Sequence, residues 1–461
     1  MKTRKTFIIG LDCADPDLIF NRWKNDLPNL AALIDNGYSA RMRSTDPPIT
    51  IPAWTSMMSS KSPGTLGIYG FRNRKNHSYD DLFIANGSYV HADRLWDIMT
   101  KNGRTSIVIG VPQTYPPRPV KGYLVSGMMT PSKDADFTWP KKFKNELYRI
   151  TPDYLPDVSD FRTDEKMRLL KDIYGMTAAR FKLVRHMLDH QRWDFFMFVE
   201  MGVDRIHHAF WHHFAADSPD YVAGNKYERV IYKYYQYIDM EIGSLLKRLD
   251  NDTDIIVVSD HGAKTMKGGF CINEWLIREW YLTLKKIPEK PVKLTPELVD
   301  WSRTMAWGEG GYYGRLFVNL KGREPLGIVL ESQYRDLLAE IRSKIQHLKD
   351  DSGNPMNNRA FTAAEKYPVV NGIAPDLFIY FDDLAWRSIG NVGLGGIYTH
   401  KNDTGPDGAN HDYYGIFIMN GRDISPEYTK EISIYDIAPT ILTRMGLPVP
   451  EDMEGRKNKN K

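Results

Sequence analysis

Seven side chains in this sequence could together activate a hydroxyl group for attack on phosphorus. Asp12 stands directly after the apolar run Phe7–Leu11. Asp260 and His261 follow a second run, in Ser259-Asp260-His261-Gly262, and an adjacent Asp and His can give one metal ion an oxygen and a nitrogen. Asp204 and His208 come after Phe195–Val199. Their i,i+4 spacing puts both on one face of a helical turn, within reach of a second ion. His411 precedes the run Ile416–Met419. Thr50 is the candidate nucleophile. Pro52 fits the first turn of a helix, which sets Thr50 just before the helix start, where backbone N–H groups and the dipole stabilise anions. A metal-activated threonine there could attack a phosphate ester.

Each residue also has a plainer use. An Asp after a strand commonly closes a turn or caps a helix, and a Thr before a helix is commonly its N-cap. Asp–His pairs at i,i+4 arise by chance among twelve histidines. The ordered set of three carboxylates and three imidazoles is more specific than any one member. His207 points about 100° away from His208 on a helix, which suits packing. His212 and His213 are candidates only for supporting positions. His400 competes with His411, and His411 is preferred because it lies immediately before a strand.

These residues can meet only if the strands before them share a sheet, since ligands of open α/β sheets gather beyond the carboxyl ends of the strands. The runs Phe7–Leu11, Thr105–Ile109, Phe195–Val199, Ile255–Val258, Leu377–Phe381 and Ile416–Met419 have strand length and no strict alternation. That pattern suits strands buried on both faces of a parallel sheet. Helical spacing follows Pro28 (Leu30, Leu33, Ile34), precedes Gly103 (Leu95, Ile98, Met99), and covers about 165–191, 227–249 and 332–348. The expectation is an α/β fold with a largely parallel central sheet and helices on both faces. Residues 112–162, with eight prolines, read as long loops over the core. Residues 263–325, rich in Gly and aromatics, read as a cap-like insertion within a single domain spanning 1–461, placed to influence the leaving group. The basic tail Arg456–Lys461 reads as frayed.

Composition narrows the function classes. Sixty-one basic against fifty-eight acidic residues leave a net charge of +3, too balanced for a nucleic-acid polymer or membrane surface as partner. Cys13 and Cys271 are the only cysteines, so any metal must be held by His and carboxylate. The amino terminus lacks the apolar core of a secretory signal, and no run reaches the length of a membrane span. A cytoplasmic location is expected.

The order of motifs resembles the alkaline phosphatase superfamily, and within it the type I phosphodiesterase/nucleotide pyrophosphatase family. The matching residues are Leu11-Asp12, Thr50-Ile51-Pro52-Ala53-Trp54-Thr55, Asp204-Arg205-Ile206-His207-His208, Ser259-Asp260-His261-Gly262, Asn410-His411 and Tyr435-Asp436-Ile437-Ala438-Pro439-Thr440. The resemblance implies an alkaline-phosphatase-like fold and two divalent ions, zinc first and manganese as the alternative. Asp12, Thr50, Asp260 and His261 would hold one ion; Asp204, His208 and His411 would hold the other. It further implies a phospho-threonine intermediate on Thr50 and a small phosphate-ester substrate, cleaved at a phosphodiester or pyrophosphate bond.

One departure bears on the substrate. Where nucleotide pyrophosphatases carry an Asn that contacts phosphate, this chain has Phe71, in Gly67-Ile68-Tyr69-Gly70-Phe71. Arg72 and Arg74 are the nearby donors that could replace it, with Arg72 as the candidate substrate-binding residue. Thr50-Ile51-Pro52-Ala53 lacks the Cys or Ser that sulfatases convert to their nucleophile. The alternatives are a phosphomonoesterase or phosphotransferase of the same superfamily and, from another class, a non-catalytic metal-binding scaffold. The scaffold has no need of all seven ligands.

Overall fold

The computed structural model describes residues 4–456. The tail expected to fray lies, apart from Arg456, outside the described residues. A nine-stranded sheet forms the centre: β1 (Lys5–Leu11), β2 (Tyr38–Arg43), β3 (Ser106–Ile109), β4 (Gly122–Val125), β5 (Thr138–Trp139), β6 (Phe195–Glu200), β7 (Thr253–Val258), β8 (Tyr414–Asn420) and β9 (Glu427–Ser433). Their spatial order is β9-β2-β8-β7-β1-β6-β3-β4-β5. Five of the eight pairings are parallel. The run-like strands β1, β3 and β6 are almost wholly buried, as strands covered on both faces must be. Helices Pro28–Asp35, Leu95–Lys101, Lys166–His190 and Val230–Leu246 stand close to the expected ranges.

Three expectations are corrected. Residues 112–162 are not only loops: they contribute β4, β5 and the helix Phe143–Ile150, whose apolar residues are too few to stand out among the prolines. The run at Ile416–Met419 is a central strand, but β8 is antiparallel to both β2 and β7. Burial on both faces produces the same apolar run whichever way a strand points. Leu377–Phe381 is not part of the central sheet at all. Its strand, Leu377–Tyr380, lies in a four-stranded antiparallel sheet with Ala306–Glu309, Gly314–Val318 and Arg359–Phe361. Leu377 and Ile379 enter one apolar cluster, Phe378 and Tyr380 another. Both faces are dry, so alternation vanishes.

That smaller sheet belongs to a second core, which runs from Phe270 to Trp386 and includes the helix Glu331–Gln346 through Leu337, Leu338, Ile341 and Ile345. The chain leaves the central body through the strand Gly262–Thr265 and returns through Ala409–Asp412. The two pair with each other antiparallel, Ala263 opposite His411. Among the described residues no helix is long and apolar enough to cross a membrane.

Candidate active site

The sheet order explains why the seven residues meet. β7, β1 and β6 are parallel neighbours, so the residues after them emerge side by side: Asp260 and His261 after β7, Asp12 after β1, and the helix Gly202–Phe214 after β6. That helix carries Asp204 and His208 one turn apart. Because β8 runs the other way, its beginning lies at the same edge, and the strand bearing His411 arrives there. β2 is antiparallel to β8, so it too ends at this edge and leads into the helix Thr50–Ser59. Gly10 in β1 permits a close approach by that helix: a Cβ there would sit 2.7 Å from the Trp54 ring.

Thr50 is the first residue of its helix, one position later than expected, and its hydroxyl makes no capping bond. Instead Thr50 Oγ1 lies 3.2 Å from His261 Nε2. The capping use of Thr50 is thereby set aside. Thr45 and Thr55 are engaged elsewhere: Thr45 donates to the Pro47 carbonyl at 2.6 Å and Thr55 to Gln113.

One pattern repeats across all three carboxylates. Asp12 Oδ2 accepts from Trp54 Nε1 at 2.6 Å, Asp204 Oδ2 from Arg205 Nη1 at 2.7 Å, and Asp260 Oδ1 from the Cys13 N–H at 3.2 Å. The other oxygen of each (Asp12 Oδ1, Asp204 Oδ1, Asp260 Oδ2) is buried without a hydrogen-bond partner among the described residues. Such atoms are rare in a folded protein and call for an explanation. The imidazoles complement them. His261 Nδ1 contacts the Gly262 carbonyl at 3.1 Å, His411 Nδ1 the Pro48 carbonyl at 2.8 Å, and His208 Nδ1 the Asp407 carboxylate at 2.8 Å. Each carbonyl or carboxylate calls for an N–H at Nδ1, which leaves Nε2 as the inward-facing lone pair.

The free atoms fall into two adjoining groups. His261 Nε2 is 3.2 Å from Asp260 Oδ2 and 3.8 Å from Asp12 Oδ1, with Thr50 beside it. His208 Nε2 is 3.2 Å from Asp204 Oδ1 and 3.3 Å from His411 Nε2. Ligand atoms of His261 and His411 also come within 4.8 Å of one from Asp204, so the groups are contiguous. His208 and His411 Nε2 atoms 3.3 Å apart must share a proton or a metal ion, and the outward bonds fix each ring as metal-binding histidines usually require. The donor set, oxygen and nitrogen with no sulfur, suits two divalent ions.

Electrostatics agree. Burial, then the charges of Asp260 and Asp204, push the Asp12 carboxyl well above its usual range, and burial together with Asp204 does the same to Asp260. Burial would also raise Asp204, but His208 and Arg205 overcome it and hold its pKa well down. Burial opposes protonation of His208, yet Asp407 and Asp204 prevail and bring it to about 9. The pocket attracts positive charge.

The remaining expectations separate cleanly. Arg72 lines the cavity onto which Thr50 opens, as does Phe71. Arg74 does not serve the site: it is buried in an ion pair with Glu324 at 3.2 Å and lies against Trp307 and Phe317. His207 pairs with Tyr235 at 3.1 Å, and His400 sits far out on the surface with Asp351 at 2.7 Å. His212 and His213 pack on each other outside the cluster. Sequence reasoning missed Asp407, whose side chain is fully buried and held between His208 and Arg162 Nε, also at 2.8 Å. Its only sequence signal is a carboxylate in Gly405-Pro406-Asp407-Gly408, four residues before His411.

The sequence model of the family "Type I phosphodiesterase / nucleotide pyrophosphatase" matches residues 6–407. The chain belongs to this family. No curated protein sequence matches it significantly. The solved structures it resembles include human ectonucleotide pyrophosphatase/phosphodiesterase 5, at 12% identity and TM-score 0.58, with 97% of each chain covered. Another is the murine protein of that name in an inactive form in complex with AMP, also at 12% and 0.58, covering 98% of this chain and 97% of that one. The fold is shared at this distance, and the type I phosphodiesterase described here is a hydrolase of a family that typically depends on divalent metals.

Proposed function

We propose that this type I phosphodiesterase cleaves a phosphodiester or pyrophosphate bond with Thr50 as nucleophile, at a site holding two divalent ions. The observation that carries this reading is the set of three unpartnered carboxylate oxygens and three inward Nε2 atoms gathered beside the Thr50 hydroxyl. Asp12, Thr50, Asp260 and His261 would hold one ion, and Asp204, His208 and His411 the other. When bound, such a pair lowers the pKa of a hydroxyl and stabilises the attacking and leaving oxygens of an in-line displacement. Zinc is the first choice for His and carboxylate donors, with manganese as the alternative.

The protein's own residues supply the positioning. Trp54 orients Asp12, Arg205 orients Asp204, and Asp407 fixes the tautomer and ring plane of His208. Thr50, held at a helix start, would attack phosphorus and lose its hydroxyl proton as the Oγ1–P bond forms and the ester oxygen departs. Water would then cleave the Oγ1–P bond, releasing the phosphate monoester that keeps the second arm and regenerating the Thr50 hydroxyl. With three carboxylates against two divalent ions the pocket has a net charge of +1, which matches the single negative charge of a diester. A small phosphate ester and a cytoplasmic setting complete the proposal. Rapid quenching with a diester substrate tests it: the phosphoryl group with its remaining ester arm trapped on Thr50 is the expected result, and a chain that is metal-replete yet hydrolyses no phosphate ester would refute it.

A further inference from the structure

Thr50 opens onto a cavity of about 730 Å³ whose lining also carries five arginines. Two of these are committed to the pocket already described. Arg205 holds Asp204 and Asp157, and Arg162 holds Asp407. The other three, Arg72, Arg315 and Arg387, form a separate wall. Arg315 and Arg387 come from strands that leave the central body, Gly314–Val318 and Trp386–Ile389.

The charges on this wall do not cancel. Arg315 pairs with Glu309 at 2.7 Å and donates to the Arg72 carbonyl at 2.6 Å. Arg387 pairs with Asp403 at 3.2 Å and donates to Thr404 Oγ1, also at 3.2 Å. Arg387 is only 5% exposed, and its Nε is buried with no hydrogen-bond partner among the described residues. The Arg72 side chain has no hydrogen bond or ion pair among the described residues. Three guanidinium groups therefore face two carboxylates. A buried donor without a partner and three like charges side by side are both unfavourable in the free protein. A carboxylate or phosphate group relieves both at once, through the charge-assisted hydrogen bonds for which guanidinium is suited.

A plain diester has no use for this wall, because its one negative charge is already matched at the metal pocket. We infer that the cavity takes a phosphodiester whose second arm carries an anionic group of its own, a carboxylate or a phosphate, seated on Arg72 and Arg387. The inference rests on the phosphodiesterase reading above and narrows its substrate class. The apolar part of the lining, which includes Phe71, Leu155 and Phe161, would face the body of that arm.

Three chromogenic diesters with the same p-nitrophenolate leaving group test it on the zinc-loaded protein. Their second arms are phenyl, para-carboxyphenyl and para-phosphophenyl. The expected result is a kcat/KM about tenfold or more higher for a charged arm than for phenyl, and the better of the two charged arms identifies the anion. The advantage should collapse towards parity in Arg72→Ala and return in part in Arg72→Lys. Because Arg72 is exposed on the cavity surface, neither change threatens the fold. Equal rates for all three arms in the native protein would overturn the inference while leaving the phosphodiesterase reading intact. If none is hydrolysed, that reading fails, and calorimetric titration with phenyl and para-carboxyphenyl methylphosphonate decides the inference separately. Binding of the carboxylate probe tenfold tighter, lost in Arg72→Ala, supports it; equal affinity overturns it.

Discussion

The pocket around Thr50 and the arginine wall line one cavity but are stabilised in opposite ways. In the pocket each carboxylate and imidazole ligand is tied on its outer side and turned inward on the other, from Trp54–Asp12 to Asp407–His208. The free atoms converge, so they act as a unit and losing one disturbs all. On the arginine wall the charges are mostly matched by local carboxylates, Glu309 and Asp403, and only Arg72 and the Arg387 Nε are left over. Changes there should be graded. The difference also reflects their scaffolds. The pocket sits on the ends of the central strands, whereas all three wall arginines stand on strands outside the central sheet.

The sharpest way to break the comparison is to empty the pocket. Dialysis against a chelator should reduce hydrolysis to background, and zinc or manganese should restore it. His411→Ala should lower metal content from two ions per chain towards one, read by elemental analysis. Retention of full activity after chelation would contradict the unit behaviour claimed for the pocket. Thr50→Ala should come next in effect: most of the rate is lost while fold and most metal binding survive. Thr50→Ser should keep measurable activity because the hydroxyl remains, and Thr45→Ala and Thr55→Ala are controls for local structure. Full activity in Thr50→Ala would mean that water attacks phosphorus directly.

A smaller effect is expected at Asp407. Asp407→Asn keeps the shape but removes the charge that fixes His208, and outer partners of metal-binding histidines are typically worth about 10–100-fold in affinity or activity. Metal titration alongside kcat should show both falling together, and a variant with native zinc affinity would reduce Asp407 to packing. The mildest consequence for activity should come from the second core. Ile341→Ala, at a fully buried position of the helix Glu331–Gln346, should cost about 2–5 kcal/mol of stability. Denaturant unfolding should register the loss with metal content unchanged; metal lost in proportion would show the two regions to be coupled.

Much of this was legible from the residues alone. β1, β3, β6 and β7 appear as apolar runs because parallel strands covered on both faces have no wet side, and the long helices declare themselves by their spacing. Asp12, Asp204, His208, Asp260, His261 and His411 could be read as converging on one sheet edge because each lies near the end or start of such a run, and their full division between two ions came only from the family resemblance. Other features left no such trace. Nothing in Ile416–Met419 states its direction, yet only an antiparallel β8 brings His411 to the edge where Asp204 and His208 stand. Asp407 lies in a glycine- and proline-containing loop whose local sequence reads as an ordinary turn. Arg74 looked equivalent to Arg72, but two residues along a short strand the chain turns it into a buried pair with Glu324.

The sequence by itself determined the types of ligand, their order along the chain and the α/β class, because these follow from side-chain chemistry and from periodicities of a few residues. The tertiary structure alone decided which atoms face one another. The inward Nε2 of three histidines, the one free oxygen on each of three carboxylates and the unmatched charge on Arg72 all depend on partners far away in the chain: Pro48 for His411, Cys13 for Asp260, and Arg315 and Arg387 for Arg72. A hydrogen bond reaches about 3 Å, so whether a polar atom is paired or free is fixed by strand order, strand direction and loop path, none of which is written in any short stretch of residues.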